Sequence, residues 1–240
     1  MILSLCILNW KRKKNVIFIV NNMANFNCIN EILISNGNKN HSVEKNDFIE
    51  TNKIKIFDDS DINNNYGLEL RYVNALRANN DNVIIMDDDL LIAENELNKL
   101  IDEFKKNPKR IVGKWGRNIE NEYNLRNCYN SVDVVLTKLL ICRKKLFNLF
   151  FICKPLVEEI YKTGVPYGNG EDIFLSFIAN IYFKCNGFCL DLNIRKLSEM
   201  NCAVSTNKFH LRYRKKLCNF LIKNKTKFIE FIDNLKFIII

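Results

Sequence analysis

No stretch of this sequence reaches the ~20 consecutive apolar residues that a membrane-spanning helix needs. The apolar start, residues 1–8, is short and runs into Trp10-Lys11-Arg12-Lys13-Lys14. It lacks the basic leader and small-residue cleavage site of a signal peptide. The apolar end, Phe237 to Ile240, is four residues long. No internal repeat and no low-complexity linker divides the chain. No zinc pattern exists either. The nine cysteines are scattered, only Cys185 and Cys189 lie close together, and no second pair or nearby histidine completes a site. An odd count within apolar runs reads as buried free thiols in a reducing compartment, so a cytoplasmic location is expected.

What is present is globular. In 240 residues, 48% are apolar, which is enough for one large domain with a sizeable core. Thirty-six Lys and Arg against 27 Asp and Glu leave a net charge of +9. That balance favours anionic partners: nucleotides, nucleic acid or a membrane surface. The basic residues are spread along the chain and no nucleic-acid-binding motif appears, so a nucleic-acid partner is not expected. Peripheral membrane contact through the basic surface stays open.

Hydrophobic periodicity predicts alternating strands and helices, hence an α/β fold with a central, mostly parallel, mixed sheet flanked by helices. Strands are expected at residues 2–8, 32–34, 53–57, 83–86, 111–112, 132–136 and 188–192. Residues 13–26 carry the β-branched run Val16-Ile17-Phe18-Ile19-Val20 but also a helical stripe, and helix is chosen. Further helices are expected at 66–78, 94–106, 138–151, 155–163, 171–183 and from about 208 onward. Residues 58–65 and 118–130 read as polar loops, and 164–170 as a glycine-rich loop. A single domain over residues 1–240 follows, with a nucleotide-binding half at 1–92, an acceptor half at 93–220 and a C-terminal helix at 221–240.

Three groups of residues carry chemistry. Val83-Ile84-Ile85-Met86 ends in Asp87-Asp88-Asp89. Carboxylates at the carboxyl end of a buried strand sit where α/β sheets bind ligands. Such crowding is costly unless a cation neutralises it, and a hard divalent ion could also hold a diphosphate. If the strand continues, Asp87 and Asp89 share a face. Taken alone, the triplet is equally an acidic loop. Glu171-Asp172 opens a helix after a glycine-rich approach; alone, it complements the helix dipole. Residues 208–216 are strongly basic. His210 and Arg214, four apart, share a helical face, and arginine grips phosphate through a bidentate fork.

Together these segments resemble the exostosin-like glycosyltransferases, family 64, over roughly residues 3–218. Asn9-Trp10-Lys11-Arg12 resembles the family's Tyr-Asn-Arg turn, and Ser35-Asn36-Gly37-Asn38 its Trp-Asn-Asn segment. Asn63-Asn64-Asn65 and Arg71 precede the Asp triplet as in the family. Ile111-Val112-Gly113 with Arg117, Val134 to Thr137, Glu171-Asp172-Ile173 and His210 with Arg214 follow in the family's order. The chain departs at Gly170, where luminal relatives carry a disulfide cysteine.

The resemblance implies a GT-A-like nucleotide-sugar-binding fold and a metal-dependent retaining transferase. It implies Mn2+ or Mg2+ at Asp89, with Asp87, beside the diphosphate of a UDP-sugar donor. Arg12, Asn38, Asn65, Arg71, Asp87 and Asp88 would surround the nucleotide and donor sugar, joined by Glu171 and His210. Asp172 would sit beside the anomeric carbon and Arg214 on the diphosphate, and these two are the expected catalytic residues. N-acetylhexosamines are among the candidate sugars, and the acceptor would be a glycan or glycoconjugate. The runner-up readings are an inverting family 2-like glycosyltransferase, a sugar nucleotidyltransferase and, in another class, a basic nucleic-acid-binding module.

Overall fold

In a computed structural model, which describes residues 1–119, 123–163, 169–197 and 209–236, the chain begins with β1 (Leu3–Asn9), buried along almost its whole length. Helix α1 (Lys13–Met23) follows. It buries Val16, Ile19, Val20 and Met23 and leaves Phe18 half exposed. Burying such side chains yields about 1.5–3 kcal/mol each. That exceeds the ~1 kcal/mol range of strand propensity, so the helical stripe decides.

The chain continues through β2 (Ile29–Asn36), β3 (Ile54–Asp58), α2 (Asn63–Tyr66), α3 (Leu70–Leu76), β4 (Asn82–Met86) and β5 (Leu90–Ile92). Next come α4 (Glu94–Lys106), β6 (Val112–Gly113), β7 (Gly116–Arg117), β8 (Asn130–Val132), β9 (Val134–Val135) and β10 (Leu139–Arg143). The rest is α5 (Lys145–Cys153), α6 (Glu158–Tyr161), α7 (Glu171–Phe183), β11 (Gly187–Cys189), β12 (Ile194–Lys196), α8 (His210–Lys223) and α9 (Lys225–Lys236).

Eight strands form one mixed sheet in the order β3-β2-β1-β4-β10-β6-β11-β8. The first four run parallel, and β10 inserts antiparallel between β4 and β6. The expected α/β class with a central mixed sheet flanked by helices is thus present. Side-chain alternation divides the core by sheet face. Leu5, Ile7, Ile84 and Ile141 pack with α1 and α4. Cys6, Val83, Ile85 and Leu140 pack with α3, α5, α7, α8 and α9.

The structure corrects several expectations. Residues 138–151 are not one helix: Leu139 to Cys142 is an apolar run buried on both faces, and it completes the sheet as β10 before α5 starts. The helix expected at 66–78 is broken at Gly67, whose φ of 52° stops α2 and leads through a 3-10 turn into α3. Residues 58–65 therefore hold a helical turn as well as a loop. The strand at 132–136 splits at Asp133, so that β8 pairs with β11 while β9 pairs with β7. The two-stranded ribbon of β5 and β12 was not foreseen.

Gly164 to Gly168 of the glycine-rich loop, Cys202, Lys208 and the apolar tail from Phe237 lie outside the described residues. The eight described cysteines are free thiols. Among the described residues no helix is long and apolar enough to cross a membrane.

Candidate active site

The parallel strands progress outward in one direction from β1 and in the other from β4. This switch point between β1 and β4 opens a crevice at their carboxyl ends. Strand β4 stops at Met86, and the Asp87 backbone N–H bonds to the Lys138 carbonyl at 2.8 Å. The expected shared strand face of Asp87 and Asp89 therefore does not form. The triplet is a turn: Asp87 pairs with Arg71, while Asp88 and Asp89 share Arg12.

Arg12, directly before α1, donates from Nη1 to Asp88 Oδ1 at 2.6 Å and lies 3.5 Å from Asp89 Oδ2. Lys196 on β12 reaches within 4.0 Å of Asp89. Arg71, buried at the start of α3, donates from Nη1 to Asp87 Oδ1 at 2.8 Å. Asn15 Nδ2 fixes the Asp88 carbonyl at 3.1 Å. Burial pushes the Asp88 carboxyl up to about 6, against the opposing pull of Arg12.

The second half of the site arrives through β10. Because Leu139 pairs with Met86, Thr137 and Lys138 stand beside the acidic turn. The Thr137 carbonyl accepts from Arg71 at 3.4 Å, and its hydroxyl donates to Glu171 Oε1 at 2.7 Å. Glu171 and the neighbouring Asp172 are both buried at the first turn of α7. From α8, Arg214 Nη2 donates to Asp172 Oδ2 at 2.7 Å and to the Tyr123 hydroxyl at 2.7 Å. Its guanidinium also lies over the Tyr123 ring, 4.8 Å from the centroid.

Burial, reinforced by Asp172, raises Glu171 to about 7. Burial acts to lower Arg71 and Arg214. The carboxylates of Asp87 and Glu171 for Arg71, and of Asp172 for Arg214, more than offset it, so both cations are held firmly protonated. His210 is half-buried with Nδ1 unpartnered, and burial followed by Arg214 lowers its pKa.

The structure thus joins Asp87, Arg71, Thr137 and Glu171 in one hydrogen-bonded chain, with Asp172, Arg214 and Tyr123 beside it. Arg12, Asp88 and Asp89 complete the crevice. Asn38 and Asn65 are not drawn in: Asn38 caps the turn Lys39–His41, and Asn65 is exposed on α2. At the end of β2 it is Asn36 that is buried, bonded to Asn9 at 2.8 Å. Sequence reasoning missed Tyr123, one of two tyrosines in a polar stretch, with no local signal to set it apart from Tyr129. It also missed Lys196, which no local pattern marks. Gly170 precedes α7 with φ 93°, and a Cβ there would meet Leu217 Cδ2 at 2.6 Å. The left-handed backbone favours glycine there, and any side chain would also have to displace the end of Leu217.

Among the described residues no three His, Cys, Asp or Glu side chains cluster as an all-protein metal cage. The donor set fits a different arrangement, in which one or two carboxylates share a hard cation with diphosphate oxygens and water. Asp89 suits that role, since the ion-pair contacts of its carboxylate given among the described residues are long, at 3.5 and 4.0 Å.

A mixed α/β sheet with acids and arginines at its switch-point crevice places this chain among the α/β domains that bind ligands at the carboxyl ends of their strands, here with side chains suited to an anionic ligand. The sequence profile of the glycosyl transferase family 64 domain matches residues 3–227, and the chain belongs to that family. Its fold resembles that of a mannosyltransferase from Pyrobaculum calidifontis, solved in complex with GDP-Man and Mn2+. The TM-score is 0.51 at 12% identity, over 78% of this chain and 54% of that one. This chain therefore spans about half the length of that structure. No curated protein matches it in sequence.

Proposed function

We propose that this domain is an exostosin-like, GT-A type transferase that moves a sugar from a UDP-sugar to a glycan or glycoconjugate with retention of configuration. N-acetylhexosamines fall within its donor range. One observation carries the reading: the acidic turn after β4 is tied through Arg71, Thr137 and Glu171 to a buried Asp172–Arg214 pair that arrives from distant parts of the chain. No local folding demand links these residues, whereas sugar transfer from a diphosphate needs all of them in one crevice.

Asp89, with Asp87, would hold Mn2+ or Mg2+, which neutralises diphosphate charge when bound. Arg12 and Arg71 orient Asp87 to Asp89 and would face the nucleotide end; Asn38 and Asn65, outside the hydrogen-bonded site, would meet only the outer part of the donor. Arg214 places a fixed positive charge where the leaving diphosphate develops its own. Asp172 offers a carboxylate to the anomeric carbon, as nucleophile or as stabiliser of an oxocarbenium-like state. Glu171 and His210 frame the donor sugar. Residues 1–92 would serve the nucleotide and 93–220 the acceptor, in one domain. The eight free thiols fit a cytoplasmic setting, and peripheral membrane contact through the basic surface belongs to the same picture.

Calorimetry tests the reading. UDP should bind more tightly with Mn2+ than with EDTA, and Asp89→Asn should erase the difference, with roughly 1–3 kcal/mol lost for one charge-assisted contact. UDP affinity identical with and without the ion would refute it, and tighter binding of GDP-mannose than of any UDP-sugar would reassign the donor.

A further inference from the structure

A cavity of about 590 Å³ lies between α7, α8 and α9, and no residue of the acidic turn lines it. Ile173, Phe177 and Lys184 line it from one face of α7 and the turn after it, at helical spacing. Leu221 from α8 and Ile229 and Lys225 from α9 close the other side. The floor is apolar and the mouth is charged. Of the acids at the mouth, Asp133 is engaged by the Ile119 backbone N–H and by Asn186, at 2.7 and 3.2 Å, and Asp233 has an interaction of its own. Lys184 and Lys225 are exposed there.

The same helices carry a second feature. From residue 209 to 229 the sequence contains no acid. Arg212, Lys216 and Lys223 recur at helical spacing on the exposed face of α8, and exposed Lys225 and Lys227 extend the row into α9. Ile222 both lines the cavity and is 52% exposed, and Ile229, 37% exposed, stands next to it. On α8, Ile222 falls between this basic ridge and the cavity-lining Cys218 and Leu221, and Lys184 and Lys225 stand at the cavity itself.

We propose that this face docks on a membrane containing anionic phospholipid, with the ridge against the headgroups and one acyl chain entering the cavity between α7 and α8. A phosphate polymer would meet the lysines but leave Ile222, Ile229 and the apolar floor unused. An anionic lipid satisfies all of them, because it joins a phosphate to a hydrocarbon chain. The site stands on α7, α8 and α9 and does not depend on the sugar chemistry. It is coupled to that chemistry by position, since Ile173 follows Asp172 and α8 carries Arg214 four residues before Cys218, which also lines the cavity.

The test uses the full chain. Co-sedimentation with vesicles of phosphatidylcholine plus phosphatidylserine should exceed that with phosphatidylcholine alone and weaken in high salt. The triple variant R212E/K216E/K223E, altered only at exposed positions, should bind on the order of a hundredfold more weakly while keeping its UDP affinity. Dodecyl phosphate, held below its critical micelle concentration, should slow alkylation of half-buried Cys185, which lines the cavity, as read by mass spectrometry. Equal binding to both vesicles, an unaffected triple variant, or unprotected Cys185 would overturn the proposal. Binding to a sulfated polysaccharide without binding to vesicles would also overturn it, and would mark the ridge as a polyanion surface instead.

Discussion

Glu171→Gln separates the charge of the buried carboxyl pair from its shape. The Gln side chain keeps an oxygen acceptor for the Thr137 hydroxyl, now at 2.7 Å from Glu171. What it removes is a carboxyl that burial and Asp172 raise from 4.5 to about 7. A carboxyl with a raised folded pKa binds its proton more tightly in the native state. Its contribution to stability is therefore complete below about pH 4.5 and is lost as pH rises through about 7. At 1.36 kcal/mol for each pH unit of that gap, the ceiling is about 3 kcal/mol. The new amide carries an offset of its own, ~1–3 kcal/mol for an unsatisfied donor, but that offset is the same at every pH. Urea unfolding of both proteins at about pH 5 and about pH 8.5 isolates the carboxyl. Relative to the native protein, the Gln variant should gain stability between the two pH values, by up to about 3 kcal/mol. An unchanged difference, or a variant that loses ground at high pH, would refute the burial argument.

Four further outcomes follow from the same geometry. Arg214→Met and Asp172→Asn should each lower stability by about 3–5 kcal/mol, because each strands a buried charge. The double variant should lose less than their sum, and strict additivity in denaturant melts would disprove the pair. In steady-state kinetics Asp172→Asn should depress kcat far more than donor affinity, whereas Arg214→Met should weaken both; equal effects on affinity would remove the distinction. Gly170→Ala should cost more than about 2 kcal/mol, from its left-handed backbone and its collision with Leu217. Combining it with Leu217→Ala should be less than additive in thermal melts, and full additivity would exclude the contact. Alkylation of the native protein should label Cys28, Cys128 and Cys185, which are half-buried, well before Cys6, Cys142, Cys189 and Cys218, which are fully buried. Rapid labelling of the second group would contradict the packing of both cores.

The sequence by itself determined the elements whose period is strong and local. The stripe of α4 and the buried run of β1 read directly, as did the acids that open α7. Side-chain periodicity is set by the backbone of the element itself and needs no partner to be visible. The order of the candidate site residues along the chain was legible through the resemblance of their segments to the family, most of them near the end of a strand or the start of a helix.

Tertiary structure decided the rest. Leu139 to Arg143 could be helix or strand on its own, and the open slot between β4 and β6 made it β10. That choice placed Thr137 beside Asp87 and so tied the two halves of the site together. The Asp triplet looked like a strand continuing with two acids on one face. Arg12, brought in from 76 residues before Asp88, Arg71 from 16 before Asp87 and Lys196 from 107 after Asp89, turned it into a bend held by three cations. Tyr123 and Gly170 acquire their meaning only from α8, which packs against both. Ion pairs between residues distant in the chain form where the fold leaves two charges facing each other in a region water cannot reach, and a local pattern carries no record of that meeting.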